Sequence, residues 1–522
     1  MVLLIAVVSS LAVGFTDDPE TEGLEMWTFS RNHGQLYQRL AEDYNRQARA
    51  QQRPPVNFFV IDGAALSRRT LSGFWSGTPL ADLIEVERAV MPQFVSGPLE
   101  DIGFTDLTDL VRREGLDQTI NPPSFSPWTS RGRIFGLPHD VHPVLLCYRA
   151  DLVEQAGIDV SQIETWDDFV RVLSPMIQDL DGDGRADRYL LNLWPTALPA
   201  IETLLLQAGG GTFDAQDRPI IDSDANAKVI AHVVDWCLGA DRIAIDAPEF
   251  SPAGNQLRLE GKVLATIMPD WLAGVWQKDL PQLGGKLKLM PLPAWEPGGR
   301  RTSVWGGTMI GIPKAAEDFD AAWDVAKYLY LSRELAEETY RSNNIISPIK
   351  SFWDADFYHQ PQAYFSGQAS GTAYLEQAPH VPFRSSHPFG IQALNRIAEA
   401  LSTLENQARQ GQFGPVDELT ARAMLPRAKQ LLTEAQQRVV REMSRNVFLR
   451  DPDAGQPSAG GAGGAGVDSG ADVEPAPSPT DPVLDTAAAD RRLPTLPVDP
   501  AWSRPDQAPP RLPAPDAAEG PR

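Results

Sequence analysis

Apolar positions along the middle of the chain alternate between two periods. Residues 24–29 (LEMWTF) form a short apolar run that predicts a strand. Leu36, Leu40, Tyr44 and Ala48 then recur at the spacing that lines one face of a helix. Residues 56–61 (VNFFVI) and 83–86 predict buried strands, as do 263–268 and 309–312 further on. Helical periodicity predicts elements over 166–177, 225–238, 321–331, 334–341 and 391–408. A longer periodic stretch, 419–443, contains Pro426 and predicts a helix that starts or kinks there. Strands interleaved with a larger share of helix make an α/β protein. About 430 patterned residues exceed what one core usually serves, so two lobes are expected.

The ends follow neither period. Residues 1–15 (MVLLIAVVSSLAVGF) are apolar and uncharged, about the length of a signal-peptide core and short of the ~18–20 residues that span a bilayer. Residues 1–21 are therefore expected to be a signal or anchor segment that places the protein in the periplasm or on the cell surface. No cysteine follows to carry a lipid. From residue 451 to 522 the chain is rich in Pro, Ala, Gly and Asp, with Trp502 its one aromatic residue. Such a composition buries too little surface to offset chain entropy and predicts a disordered tail.

Charge and composition narrow the function. The net charge is -23, from 46 basic and 69 acidic residues, with no basic block. A nucleic-acid binder would show a basic face and a peripheral membrane protein a basic cluster. Two cysteines make neither a disulfide scaffold nor a cysteine zinc site. Cys147, in a strand, and Cys237, on a helix, read as small buried apolar residues. The sequence contains no GxSxG, P-loop, HExxH or CxxC, and its acids lack a context marking an acid/base pair. It is not expected to be an enzyme.

Eight segments, in order, resemble the extracellular solute-binding proteins of ABC sugar importers, the maltose-binding-protein-like group. They are Thr78-Pro79-Leu80-Ala81-Asp82-Leu83-Ile84, then Arg133-Ile134-Phe135-Gly136-Leu137-Pro138-His139-Asp140, Tyr148-Arg149-Ala150-Asp151-Leu152, and Thr165-Trp166-Asp167-Asp168-Phe169. Gln207-Ala208-Gly209-Gly210 with Phe213-Asp214 follows, then Pro291-Leu292-Pro293, the stretch Gly298 to Gly307 ending in Trp305-Gly306-Gly307, and Leu331-Ser332. The W-G-G form resembles the lactose/arabinose-binding branch. The insertion of Leu80-Ala81 before Asp82 departs from the family pattern. The resemblance implies a two-lobe periplasmic-binding-protein fold of the type II kind, with discontinuous lobes joined by hinge strands. Lobe 1 would comprise 22–140 and 302–343, and lobe 2 141–301 and 344–450. It also implies capture of a solute between the lobes by a monomer, and delivery to the membrane permease subunits of an importer.

A sugar offers apolar ring faces and a rim of hydroxyls, so its cleft needs aromatic faces beside carboxylates, amides and guanidinium groups. Trp27, Trp194, Trp271 and Trp305 sit where strands give way to loops, and the resemblance favours Trp27 and Trp305 as ligand contacts. Gly306 and Gly307 let backbone approach a ligand or permit a hinge turn. Asp82, Asp140 and Asp270 are candidate hydroxyl acceptors, and Arg384 a candidate clamp. Each also reads as a core residue, cap or salt-bridge partner. Asp179, Asp181, Asp183 and Asp187 stand at positions 1, 3, 5 and 9 of a loop with glycine at 6, the spacing of a calcium loop. Leu190 occupies the position of the usual bidentate glutamate. No cofactor is required, and calcium there would be structural. A carbohydrate hydrolase, a tethered signalling receptor and a binder of non-sugar solutes stand as the alternatives.

Overall fold

The computed structural model describes residues 22–240 and 242–446; the apolar N-terminal run and the Pro/Ala-rich C-terminal segment lie outside them. Two five-stranded sheets organise the described residues. The first has the order Val56–Val60, Leu24–Thr28, Leu83–Glu87, Thr308–Gly311, Leu137–Pro138. Its first three strands run parallel, while Thr308–Gly311 is antiparallel to both of its neighbours. The second has the order Leu287–Pro291, Val144–Arg149, Val263–Pro269, Tyr189–Asn192, Ala244–Ile245. The first sheet takes Thr308–Gly311 from a stretch far from its other strands, while the strands of the second all lie within 144–291 and the helices Gly390–Arg409 and Ala421–Arg445 return to its core, so each lobe is discontinuous in sequence.

Local chemistry explains the helices that flank them. Ser30 caps Arg31–Ala50 by accepting from the His33 N–H. Thr165 and Asp168 form a reciprocal capping box at the start of Trp166–Leu173. That helix stops earlier than its periodicity predicts, because Pro175 forces the next turn into a tighter helix over Ser174–Met176. Ala421–Arg445 runs as one helix through Pro426. The helices Asp224–Leu238, Gly390–Arg409 and Ala421–Arg445 pack together over the second sheet, around Trp166, Phe169, Trp236 and Leu401. Phe319–Tyr330 and Arg333–Asn343 return to cover the first. Cys147 and Cys237 are free, buried thiols. Among the described residues no helix is long and apolar enough to cross a membrane.

The chain passes between the sheets along residues 139–143, 292–307 and 344–349, and these crossings lie side by side. Val144 N–H donates to Ser303 O (3.2 Å), Trp305 N–H to His142 O (3.3 Å) and Val141 N–H to Ile346 O (3.2 Å). A buried charge cluster fastens them. The His142 ring reaches Asp270 Oδ1 through Nδ1 (2.6 Å) and Asp140 Oδ2 through Nε2 (3.1 Å). The other Asp270 oxygen accepts from the Ile346 N–H (2.8 Å), so one carboxylate ties the first crossing to the third. Burial alone would lower the pKa of His142, but the Asp140 and Asp270 carboxylates overcome this and raise it to about 10. His142 is therefore an imidazolium at neutral pH, held between two carboxylates.

A second buried charge anchors the first sheet to this hinge. Glu85 is fully buried and accepts from Thr28 Oγ1, Tyr37 OH (2.6 Å) and Tyr330 OH (2.9 Å), with His33 Nδ1 at 3.0 Å. Burial favours its neutral form, and His33 with these donors offsets that, holding it down at about 2. The His33 ring lies 5.0 Å from that of His139, whose Nδ1 contacts Asp140 (3.2 Å). A continuous buried polar path therefore runs from the first sheet into the crossings.

Two predictions follow from this packing. A Cβ on Gly274, in the helix Asp270–Asp279, would sit 2.1 Å from the Asn343 carbonyl oxygen, a backbone atom that cannot swing away. Gly274→Ala should lower stability by roughly 1–3 kcal/mol in denaturant titrations; an unchanged midpoint would show that the two helices separate freely. His142 is raised from its unfolded value, so its contribution is full below about pH 6.5 and is lost as pH rises towards 10. The melting-temperature gap between the parent and His142→Gln should shrink steadily from pH 6 to pH 10. A gap that stays constant across that range would mean the imidazole is neutral in the fold.

Candidate functional site

Beside the crossings lies a small cleft with room inside for about one water molecule, and about 290 Å³ of empty space once the open solvent at its mouth is counted. The first lobe contributes Pro123, Ser124, Ser126 and Trp128, the crossings Asp140, Val304, Gly306 and Gly307, and a later segment Val381, Pro382 and Arg384. Trp128 ends the 3-10 turn Pro122–Trp128, where Pro122, Pro123 and Pro127 restrict the backbone. The later segment is strapped across the lobes. Asn121 Nδ2 donates to Ala378 O (3.1 Å), Arg384 N–H to Ser126 Oγ (3.2 Å), and Ser386 Oγ to Thr129 O (2.6 Å). Two polar atoms of the lining, Arg384 Nε and Ser124 Oγ, are buried without a hydrogen-bond partner. Buried polar atoms of this kind are normally satisfied by water or ligand. With the Asp140 carboxylate they supply a donor, a hydroxyl and an acceptor around one small volume.

A charged triad flanks the pocket. Arg88, directly after the strand Leu83–Glu87, grips Glu202 with both terminal nitrogens; Nη1 lies 2.9 Å from Oε2. Arg384 Nη2 reaches the same Oε2 at 2.8 Å, and its Nη1 donates to the Gly306 carbonyl (2.7 Å). Glu202 projects from the helix Leu198–Gln207 and is buried. Burial would raise its pKa, but Arg384 and Arg88 hold it down at about 2. Burial and the neighbouring Arg88 lower Arg384 to about 10, so it stays cationic at neutral pH.

The sequence-chosen residues divide into those at this site and those with other tasks. Asp140, Gly306, Gly307 and Arg384 line the pocket. Trp305 and Trp271 stand next to it, half-buried, with Trp271 Nε1 donating to Trp305 O (2.8 Å) and their rings edge-on at 6.1 Å. The other neighbour of Trp271 is Phe250, parallel at 6.2 Å. Gly306 has a φ of +108°, and a Cβ there would come within 2.9 Å of both His142 Cδ2 and Trp271 Nε1. Trp194 packs, partly buried, against the second core.

Three candidates have other contacts in the structure. Trp27 is buried in the first lobe's core, with the Arg69 guanidinium over its ring at 4.0 Å, so it offers no face to a ligand. Asp82 precedes the strand Leu83–Glu87 and accepts from the Glu25 N–H (2.9 Å). It stands at the opposite end of that strand from Arg88, roughly 20 Å along the chain direction. Asp270 is fully buried and spent on His142 and Ile346, a hinge residue and not a free hydroxyl acceptor.

In the acidic loop, Asp179, Asp181 and Asp187 bring carboxylate oxygens within 4.8 Å of one another. Asp183 is not in that group, and its Oδ1 accepts from the Arg185 N–H (2.8 Å). Asp179 accepts from the Gly182 and Gly184 N–H groups, which preforms the turn. Sequence reasoning passed over Arg88, Ser124, Trp128, His142 and Glu202. Glu202 was detectable as the one charge in the apolar run 198–206, an expensive placement unless paired.

Comparison with known proteins agrees with this architecture. The profile of the family described as "Bacterial extracellular solute-binding protein" matches residues 56–334, more than half of the chain. The arabinooligosaccharide-binding protein of Halalkalibacterium halodurans is 25% identical over 350 residues, covering 66% of this chain and 75% of that protein. The lactose-binding protein of Rhizobium radiobacter is 21% identical over 341 residues, 63% of this chain and 76% of that one. Among solved structures, the sugar-binding protein MalE of Xanthomonas citri superposes with a TM-score of 0.64 at 17% identity, covering 81% of this chain and 99% of that one. Two discontinuous lobes, three adjacent crossings and a polar pocket beside them are thus the features of a chain that belongs to the bacterial extracellular solute-binding protein family, a family of binding proteins and not of enzymes.

Proposed function

We propose that the protein captures a neutral mono- or oligosaccharide reversibly beside the lobe crossings and delivers it to the permease subunits of an ABC-type importer, acting as a monomer outside the cytoplasm. The observation that carries this reading is the pocket's lining: Asp140, Ser124 and Arg384 supply hydroxyl partners next to the aromatic Trp128, with Trp271 and Trp305 adjoining. A carboxylate that accepts and a guanidinium that donates suit a ring of hydroxyls, each of which does both. The names of the relatives, which bind arabinooligosaccharides and lactose, support a carbohydrate over other solutes. Residues 1–21 would export or tether the chain. At Asp179, Asp181 and Asp187 three carboxylates on an exposed loop match the hard-oxygen chemistry of calcium, which would stiffen that turn.

Binding to a panel of arabino-, galacto- and gluco-oligosaccharides, followed by calorimetry, tests the ligand class. A micromolar ligand corresponds to about -8 kcal/mol. Trp305→Ala should weaken it on the order of thirtyfold while the fold still melts cooperatively. Binding only of an amino acid, polyamine or phosphate would replace the sugar reading, and an unaffected Trp305→Ala variant would assign that ring to the core. For the loop, calcium should give a binding heat that Asp181→Asn abolishes, and a chelator should lower the melting temperature. Neither heat nor shift would leave the loop as a set of self-capped turns.

A further inference from the structure

Residues 381–389 lead from the helix Ser370–Gln377 towards the helix Gly390–Arg409 and carry Arg384 to the pocket on the way. Ser126 and Thr129 hold this strap to the first lobe, and His387 seats it on the second. The His387 ring stacks on Phe213, with 3.8 Å between centroids and 18° between planes, and both residues are buried. Its Nδ1 accepts from the Phe389 N–H (3.1 Å), while the His387 backbone N–H donates to Ser385 Oγ (3.0 Å). A ring nitrogen that accepts carries no proton, so the imidazole is seated in its neutral form. The surrounding charges oppose a further proton. Arg131 faces the ring from the first lobe's Thr129–Ile134 hairpin, with its terminal nitrogens on the Gly97 and Val95 carbonyls. Gly390–Arg409 begins three residues on, presenting the positive end of its dipole with no acid in its first turn. On the turn after Phe213, Asp214 is bound to Arg218 (2.7 Å), and Asp217 interacts with Arg131. In the strap itself, Arg384 is turned to Glu202 and the Gly306 carbonyl. Burial and Arg131 lower the His387 pKa to about 4.

We propose that His387 is an acid-sensitive latch on the strap: a proton on Nδ1 breaks the bond from the Phe389 N–H, sets a cation beside Arg131, and releases the segment that carries Arg384. A ring freed to solvent takes up its proton near pH 6.5, whereas the seated ring resists it down to about pH 4. The folded value is the lower one, so the seated form is fully favoured above about pH 6.5. Each unit of acid below that raises the released population by up to about tenfold, until the seated ring itself protonates. Release would withdraw Arg384 from the pocket and weaken the hold on its solute. That consequence rests on the reading of the pocket as the carbohydrate site, while the latch itself does not.

Amide hydrogen exchange of the full chain tests the latch without any solute. Peptides covering 381–389 are followed between about pH 7 and about pH 4.5, corrected for the intrinsic pH dependence of exchange, with 391–408 as the internal reference. In the parent, protection of the strap relative to the reference should fall roughly fiftyfold across that range. His387→Asn keeps an acceptor close to the position of Nδ1 but takes up no proton, and its strap protection should stay level. A level parent overturns the proposal, and so does a His387→Asn variant that loses protection as the parent does. Should that variant fail to fold, the ring titration of His387 in the parent, followed by NMR, decides: a midpoint near pH 4 supports the latch and one near pH 6.5 overturns it. A strap that loosens in acid in a chain that binds no saccharide would keep the latch and refute the sugar reading instead.

Discussion

An imidazolium between two buried carboxylates holds the crossings together. His142 adopts a left-handed backbone conformation, φ +52°, which costs a non-glycine residue energy. That conformation coincides with a ring that contacts Asp140 and Asp270 at once while the carbonyl accepts from Trp305. Through Asp270 the cluster fixes the backbone at Ile346, and through Trp305 it fixes the turn whose glycines line the pocket. The lobes can therefore carry different cores and still present their pocket residues in register. The binding chemistry depends on the hinge chemistry.

The same economy recurs in the pocket and the triad. Each buried charge is answered: Glu85 by tyrosines and a histidine, Glu202 by two arginines, Asp270 by a histidine and a backbone amide. Buried ions are weak contributors to stability, because desolvation cancels most of the attraction. What they confer here is arrangement, since a pair with two defined oxygens and a planar guanidinium tolerates few relative orientations. Several buried side-chain atoms lack a hydrogen-bond partner, Arg131 Nε and Arg258 Nε among them, and Arg384 Nε and Ser124 Oγ are the two that line the pocket.

Periodicity carried most of the fold. The helix faces of 225–238, 321–331 and 391–408 and the strand 263–268 are where the apolar spacing puts them, because each buries a continuous face against one sheet. The helices Leu198–Gln207 and Asp270–Asp279 escaped notice for the opposite reason: apolar or aromatic residues surround them, and a helix buried on several sides shows little period. Of the residues chosen from the sequence, Gly306, Gly307, Asp140 and Arg384 line the pocket, positions where residue type and local context agreed. Arg88, His142 and Glu202 were not among those chosen, because their meaning lies in partners that are 114 to 182 positions away in the chain and meet only when the lobes form. Asp82 and Trp27 lie away from the pocket because a strand has two ends and two faces, and one sequence position does not say which of them opens on the cleft.

A crystal structure of the full chain grown with an arabinooligosaccharide tests the central claim most directly. The account predicts a sugar ring in the pocket beside Trp128, with its hydroxyls within hydrogen-bonding distance of Arg384 Nε, Ser124 Oγ and the Asp140 carboxylate, and with His142 still clamped between Asp140 and Asp270. A ring bound elsewhere, with those three groups still unpartnered, or a bound form in which the His142 cluster has come apart, would contradict it.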